Sequence, residues 1–223
     1  VLSKNTRHVA GGAANVANNL RALGSHVTLA GFTGDDAEGK TLAHLVQAAG
    51  IEHCFVKDPS RPTTYKLRIV AQNQHMLRID RESKNLATAA MTDALWNKIE
   101  PLLARVDGVV VSDYAKGVVG ISLMNRLIAE ATKLGLKVCV DPKGRDYSRY
   151  RGAYMITPNR REVGEAAQRN IDLPEDFQQA VAELKEQTQA EVVLATCGAD
   201  GMLVYESDKQ ALRLPAQASE VYD

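Results

Sequence analysis

An α/β fold built on a mostly parallel sheet is what this sequence predicts, on three observations. Helical and strand periodicities alternate along the whole chain, the strand-like runs are short and continuously apolar, and polar or charged residues follow each run directly. Continuous apolar runs suit strands buried on both faces, and the helices between them supply the crossovers that parallel pairing requires. Composition agrees. The 223 residues carry 27 basic and 27 acidic side chains, with 45% hydrophobic and 24% charged residues. This average globular usage excludes a disordered, collagen-like or disulfide-scaffold chain, and the length can bury a sizeable core. The balanced charge gives no reason to expect a nucleic-acid or membrane partner. Cys54, Cys139 and Cys197 are scattered, with no paired spacing, which argues against a disulfide framework and a zinc site. No run approaches the ~18 apolar residues of a membrane span, and no signal-peptide pattern opens the chain. A soluble protein of a reducing cytoplasm is expected. Residue 1 is Val, and Asp223 ends a strand-like stretch. The sequence therefore reads as a piece of something longer.

In chain order, Ala13, Val16, Ala17, Leu20 and Leu23 recur at helical spacing, and Gly24 supplies a C-terminal stop. Val27 to Phe32 reads as a buried strand. Leu42, Leu45, Val46 and Ala49 mark a second helix closed by Gly50, and Met91, Leu95, Ile99, Leu102 and Val106 a long third one. A strand at 108–111 precedes a helix with Ile121, Met124, Leu127, Ile128 and Ala131, stopped by Gly135. Strands at 136–140 and 154–156 follow, then a helix with Phe177, Val181, Leu184 and Thr188, then a strand at 192–195. One segment breaks this rhythm. Tyr65, Leu67 and Ile69 alternate with Lys66, Arg68 and Val70, as Leu77 and Ile79 alternate with Met76, Arg78 and Asp80. This predicts a half-buried β-hairpin inserted into the parallel architecture, with a three-residue loop at 72–74.

Ligands of an open parallel sheet bind beyond the carboxyl ends of its strands. The residues found there are Asp113 with Tyr114 and Lys116, then Asp141-Pro142-Lys143, then Thr157-Pro158-Asn159 with Glu162, then Thr196 with Gly198 and Gly201. Any one of these sets is an ordinary turn or cap. Four on successive strands converge on one rim and point to a site. Gly11-Gly12-Ala-Ala-Asn15 opens the first helix, where small residues let backbone N–H groups approach an oxygen-rich ligand, or merely permit tight packing. Neither a Gly-x-Gly-x-x-Gly fingerprint nor a Walker-type loop is present. In the hairpin, the three-residue loop pairs Arg68 with Arg78 and Lys66 with Asp80. Like charges directly opposite destabilise a sheet unless an anion neutralises them, and a phosphate would do so through bidentate arginine contacts. The alternative is a solvated cationic face. The five histidines show no metal-ligand spacing, Ser112 lacks a hydrolase setting, and Trp96 falls on a packing stripe.

Taken together, Gly11-Gly-Ala-Ala-Asn15-Val-Ala, Ser112-Asp-Tyr-Ala-Lys-Gly117, Asp141-Pro-Lys143-Gly, Thr157-Pro-Asn159-x-x-Glu162 and Thr196-x-Gly198-x-x-Gly201 resemble the ribokinase or PfkB family of sugar kinases. Thr64-Tyr-Lys66-Leu-Arg68, Leu77-Arg78-Ile-Asp80 and Tyr147-x-x-Tyr150-Arg151-Gly152 also match its heptose-7-phosphate kinase branch, found in bacterial ADP-heptose synthases. The resemblance covers essentially the whole chain. It implies a ribokinase-like three-layer α/β/α sandwich with a β-hairpin lid, the lid elements lying at about 1–9 and 53–81. It also implies ATP-dependent phosphorylation of a heptose 7-phosphate at O1, with Mg²⁺, in the cytoplasm, on the route to lipopolysaccharide. Gly11, Gly12 and Asn15 would hold sugar hydroxyls, and Lys66, Arg68 and Arg78 the existing phosphate. Asp113 and Lys143 would sit between the two ligands. Asn159, Arg160, Arg161 and Glu162 would act near the ATP phosphates, Glu162 indirectly on Mg²⁺, while Thr196, Gly198 and Gly201 line the nucleotide. A homodimer through the lid and a fused C-terminal nucleotidyltransferase domain are further implications.

The family's catalytic aspartate lies in a Gly-Ala-Gly-Asp segment, which would follow Asp223, and its first strand would precede Val1. Residues 1–223 alone are therefore expected to be inactive. Competing readings are another PfkB-type sugar or nucleoside kinase, a dinucleotide-dependent oxidoreductase, against which the missing glycine fingerprint counts, and a non-catalytic sugar- or nucleotide-binding fragment.

Overall fold

The computed structural model describes residues 5–71, 74–171, 173–206 and 211–216. It divides into two compact units, residues 1–99 with 116–118 and residues 100–115 with 119–223.

In the first unit, α1 (Ala13–Ala22) leads to β1 (Thr28–Thr33), α2 (Ala37–Ala48) and β2 (Glu52–Lys57). The two strands pair in parallel from Thr28↔Glu52 to Thr33↔Lys57, with α2 as the crossover. Ala10, Ala14, Ala17, Val46 and Ile51 form the core, against which Val27, Leu29, Leu42 and Phe55 pack. β2 was not signalled by an apolar run, because only Cys54, Phe55 and Val56 are covered, between exposed Glu52, His53 and Lys57. The glycines expected to stop helices do so: Gly24, Gly50 and Gly135 all take positive φ one residue past a helix C-cap.

The hairpin is β3 (Tyr65–Ala71) with β4 (Gln74–Arg81). Its register pairs Lys66 with Asp80 and Arg68 with Arg78, as the charge argument requires. The loop differs from expectation. Gln74 pairs with Ala71, and the odd residue is taken up by an irregularity between Ile69 and Val70, opposite Met76. A bulge preserves the same face alternation near the base that a three-residue loop would have given. Residues 72 and 73 lie outside the described residues. The half-buried face is also corrected. β4 is exposed along its whole length, and only Tyr65 and Leu67, near the base, are partly covered. A two-stranded ribbon has no second layer of its own to cover it.

The ribbon's base is tied to the start of α2. Asp36 is the N-cap: its Oδ1 accepts from the Gly39 N–H at 2.9 Å and from the Thr63 hydroxyl at 2.6 Å, and its Oδ2 accepts from the Thr63 N–H at 2.9 Å. The Thr63 hydroxyl in turn accepts from the Gly34 N–H at 2.8 Å. A β-carbon at Gly34 would stand 2.7 Å from Asp36 and 2.8 Å from the Arg61 carbonyl, so only glycine fits this knot.

α3 (Ala89–Leu103) ends three residues sooner than its apolar stripe suggested, and Trp96 on it is buried. The second unit continues with β5 (Gly108–Ser112), α4 (Ile121–Lys133), β6 (Lys137–Asp141), β7 (Met155–Ile156), α5 (Arg160–Ala167), α6 (Pro174–Thr188), β8 (Val192–Thr196), β9 (Met202–Glu206) and β10 (Leu212–Leu214). The sheet order is β10-β9-β8-β7-β6-β5. β5 through β8 are parallel neighbours, whereas β8–β9 and β9–β10 are antiparallel. The sheet is mostly parallel, as expected, and its edge turns antiparallel because the five residues between β8 and β9 are too few for a crossover. α4 packs on β6 and α6 on β8 and β9.

Burial opposes ionisation of Asp36, but the donors from Thr63 and Gly39 outweigh it and hold its carboxyl below the ordinary value of 3.8. The stabilisation is present above that value and is lost as pH falls through the lower folded-state pKa. Asp36→Asn removes an acceptor from a buried N–H and should cost about 1–3 kcal/mol in urea unfolding at pH 7. The gap between the variant and the parent protein should narrow below pH 4, where the parent loses the ionised acceptor.

Candidate functional site

Parallel pairing aligns the carboxyl ends of the four strands. Ser112 sits beside Asp141, Val140 beside Ile156, and Asn159 bridges to Thr196. Asp113, Lys143, Asn159 and Glu162 thus come to one rim, as the chain reading expected.

Asn159 caps α5. Its side-chain oxygen accepts from the Glu162 N–H at 2.9 Å, and the Asn159 N–H donates to Glu162 Oε2 at 3.0 Å, completing a capping box. The free oxygen of Glu162, Oε1, takes the Lys143 ammonium at 2.7 Å. One buried carboxylate therefore closes a helix end and orients a lysine. That hydrogen bond, with burial opposing, raises the Lys143 pKa above its ordinary value. Asp141 is pushed up, first by burial and then by the charge of Glu162.

Asp113 is 5% exposed. Its Oδ2 accepts from the Tyr150 hydroxyl at 2.6 Å and from Arg149 Nη2 at 3.0 Å, while its Oδ1 accepts from the Ala115 N–H at 2.6 Å. Arg149 and Tyr150 were missed as site residues, although the Tyr147-x-x-Tyr150-Arg151-Gly152 match pointed to their segment. Burial and the hydrogen bond to Asp113 both push the Tyr150 phenol well above its ordinary value.

The loop after β8 closes on itself through the Cys197 N–H and the Gly201 carbonyl at 2.8 Å. Thr196 is half-buried, and among the described residues nothing lies within 4 Å of a β-carbon placed on Gly198. Arg160 lies against this loop, with Nη2 3.1 Å from Asp200 and the guanidinium over the Phe177 ring. Arg161 turns outward to Glu165 on its own helix.

In the first unit, Gly12 caps α1 without a side-chain hydrogen bond, and Gly11 and Asn15 beside it are exposed. Asn18, one turn further on the same helix, has its side-chain oxygen buried without a partner among the described residues. Asn15-x-x-Asn18 spacing was the signal available for it. On the hairpin, Asp80 takes Arg78 Nε at 3.0 Å and Lys66 Nζ at 3.7 Å. Arg68 makes no ion pair among the described residues, although Arg78 stands directly opposite. Near the hairpin base, Glu82 binds Lys116, whose ammonium lowers the Glu82 pKa. Arg61 bonds Asp58 at 2.7 Å and the carbonyls of Lys116 and Asn85 at 3.2 and 3.3 Å.

The histidines are exposed, and no group of three His, Cys, Asp or Glu side chains among the described residues could hold a metal by itself. No helix among the described residues is long and apolar enough to cross a membrane.

The family model described as pfkB family carbohydrate kinase matches residues 2–223. A curated relative named bifunctional protein HldE, from Paramagnetospirillum magneticum, is 41% identical over 214 residues, covering 96% of this chain and 44% of that protein. Its namesake from Desulfatibacillum aliphaticivorans is 40% identical over 221 residues, 99% of this chain and 45% of that protein. The chain spans less than half the length of these relatives. Among solved structures, phosphofructokinase-2 from Escherichia coli in complex with fructose-6-phosphate superposes with a TM-score of 0.72 at 19% identity, covering 96% of this chain and 70% of that one. Ribokinase of Arabidopsis thaliana complexed with ribose and ATP gives 0.71 at 18% identity, with 99% and 71% coverage. These last two share the ribokinase-like fold.

Gly201 takes φ +86°, and a β-carbon there would meet the Leu214 carbonyl oxygen at 2.0 Å. Gly201→Ala must therefore displace β10 or unwind the loop. We expect a loss of at least about 2 kcal/mol in chemical denaturation, combining positive-φ strain with overpacking.

Proposed function

Given that the chain belongs to the pfkB family of carbohydrate kinases, we propose that it transfers the γ-phosphoryl group of ATP to a sugar already carrying a phosphate, specifically O1 of a heptose 7-phosphate. The observation that carries the phosphate is the hairpin's charge pattern. Arg68 and Arg78 oppose one another, and Asp80 is engaged by Arg78 and Lys66, so Arg68 retains its full capacity for an anion. The heptose identity rests on the resemblance of the hairpin and of the 147–152 segment to the heptose-kinase branch.

In this reading Gly11, Gly12 and Asn15 bind sugar hydroxyls at the start of α1, where backbone N–H groups favour oxygen ligands. Lys66, Arg68 and Arg78 receive the 7-phosphate. Asn159, Glu162, Arg160 and Arg161 hold the nucleotide phosphates, with Thr196, Gly198 and Gly201 along the nucleotide. Lys143 faces the group in transit. Phosphoryl transfer forms an O1–P bond and breaks the bond between the γ-phosphorus and the β,γ-bridging oxygen, so ADP leaves. Little covalent chemistry falls to the protein, and positioning with charge neutralisation supplies most of the acceleration. The O1 proton passes to a general base as the bond forms.

Mg²⁺ usually takes one or two carboxylates together with substrate phosphates. The donor set fits. Asp141 reaches the rim; burial of part of its carboxyl is the main cause of its raised proton affinity, and the negative charge of Glu162, which would also favour a cation, is the second. Both Glu162 oxygens are occupied, which leaves that residue an indirect role. Bound there, the ion would neutralise charge on the phosphates.

A second copy of the chain is the proposed partner of the hairpin, and the cytoplasm the proposed location. Ile69, Val70, Met76, Leu77 and Ile79 are exposed on the ribbon, an apolar surface that pairing of two ribbons would cover.

Two measurements check these readings. In calorimetric titration, Arg68→Ala should weaken binding of sugar phosphates by about tenfold or more, the value of a lost charge-assisted contact, and leave neutral sugars unchanged. Equal loss for both would remove the phosphate from the hairpin. Leu77→Asp with Ile79→Asp should shift the light-scattering mass from dimer to monomer, and a monomeric parent protein would contradict the dimer.

A further inference from the structure

We infer that Asp113, Arg149 and Tyr150 form a positioning unit that presents Lys143 to the transferred phosphate, and that Asp113 acts through this loop without touching ligand. The inference rests on the reading that Lys143 faces that phosphate.

Lys143 lies in the connection between β6 and β7, followed by Gly144 at φ +94°. No helix or strand ladder fixes it, so side chains must. The Tyr150 hydroxyl accepts from the Lys143 N–H at 3.2 Å while donating to Asp113. Arg149 Nη2 donates to the Lys143 carbonyl and to Asp113. Both backbone polar groups of the lysine are therefore held by two neighbouring side chains, and both of those are anchored on one carboxylate. Asp113 has three donors from its own chain and is nearly inaccessible. A carboxylate so placed has little left to offer a sugar hydroxyl.

Tyr150 is itself fully buried, with Tyr147 edge-on at 5.4 Å and the Arg149 guanidinium 4.8 Å above its ring. Its orientation is thereby set by packing. The side chain of Lys143 remains partly exposed, its ammonium on Glu162. The arrangement fixes the root of the lysine firmly and leaves its tip able to exchange a carboxylate for a phosphate oxygen.

The test is a double-mutant cycle read as dissociation constants for ATP–Mg²⁺ and ADP–Mg²⁺ in the intact protein. Lys143→Ala should weaken ATP binding by about tenfold and leave ADP binding within about twofold, because only ATP carries the transferred group. Tyr150→Phe should reproduce this ATP-selective loss at about fivefold, and should add nothing in the Lys143→Ala background. Arg149→Met supplies the same cycle if Tyr150→Phe folds poorly. Equal loss for ATP and ADP, or full additivity with Lys143→Ala, would reduce the unit to structural support and overturn the inference. If Lys143→Ala itself leaves ATP binding unchanged, the placement of the lysine fails and the inference falls with it. That outcome is recognised before the cycle is closed.

Discussion

Parallel pairing of β5, β6, β7 and β8 is the constraint on which the proposed nucleotide-side chemistry depends. Strands that run the same way in adjacent positions must end along one edge, and each here ends in polar residues. Had any one of them been reversed, Asp113, Lys143, Asn159 and Thr196 would be divided between two edges. Their convergence follows from topology, and side-chain contacts then refine it. The capping box of α5 does most of that refinement, since the carboxylate that closes the helix also receives the lysine.

The two units handle charge in opposite ways. At the sheet rim, Asp113 and Glu162 have their carboxylate oxygens occupied by donors from the chain, so the local arrangement is rigid before any ligand arrives. A preorganised arrangement loses less on binding and needs less reorganisation during reaction. On the hairpin, charge is incompletely balanced. Asp80 serves two cations, and Arg68 is left facing Arg78. Electrostatic repulsion of this kind persists where an anion resolves it, which is why the hairpin and not the rim carries the substrate's own phosphate in the proposed reaction.

Much of this was legible in the residues. Helix faces, glycine stops, the parallel strands and the cross-strand pairing of Arg68 with Arg78 follow from periodicity and parity, which are short-range properties. The bulge opposite Met76 was not, because a loop residue and a bulged residue shift the alternation equally. β9 and β10 escaped because their strand signals are brief and the tight turn at 197–201 looks the same whether it leads to a helix or a strand. The exposure of β4 was also hidden, since apolar alternation reports which residues share a face, not what covers it. Arg149 and Tyr150 act on Lys143 through backbone atoms, and contacts of that kind leave no spacing rule in the sequence. The motif resemblance named Asp113 as a site residue, while only the folded structure brings Tyr150, Arg149 and Ala115 to it as partners.

The most direct measurement is phosphorus NMR of the intact protein with ATP, Mg²⁺ and D-glycero-β-D-manno-heptose 7-phosphate. A new anomeric phosphate resonance coupled to H1 should grow in equal amount with ADP while the 7-phosphate signal persists. ATP turnover to ADP and inorganic phosphate regardless of the sugar, or transfer to a neutral sugar in preference, would contradict the proposed reaction.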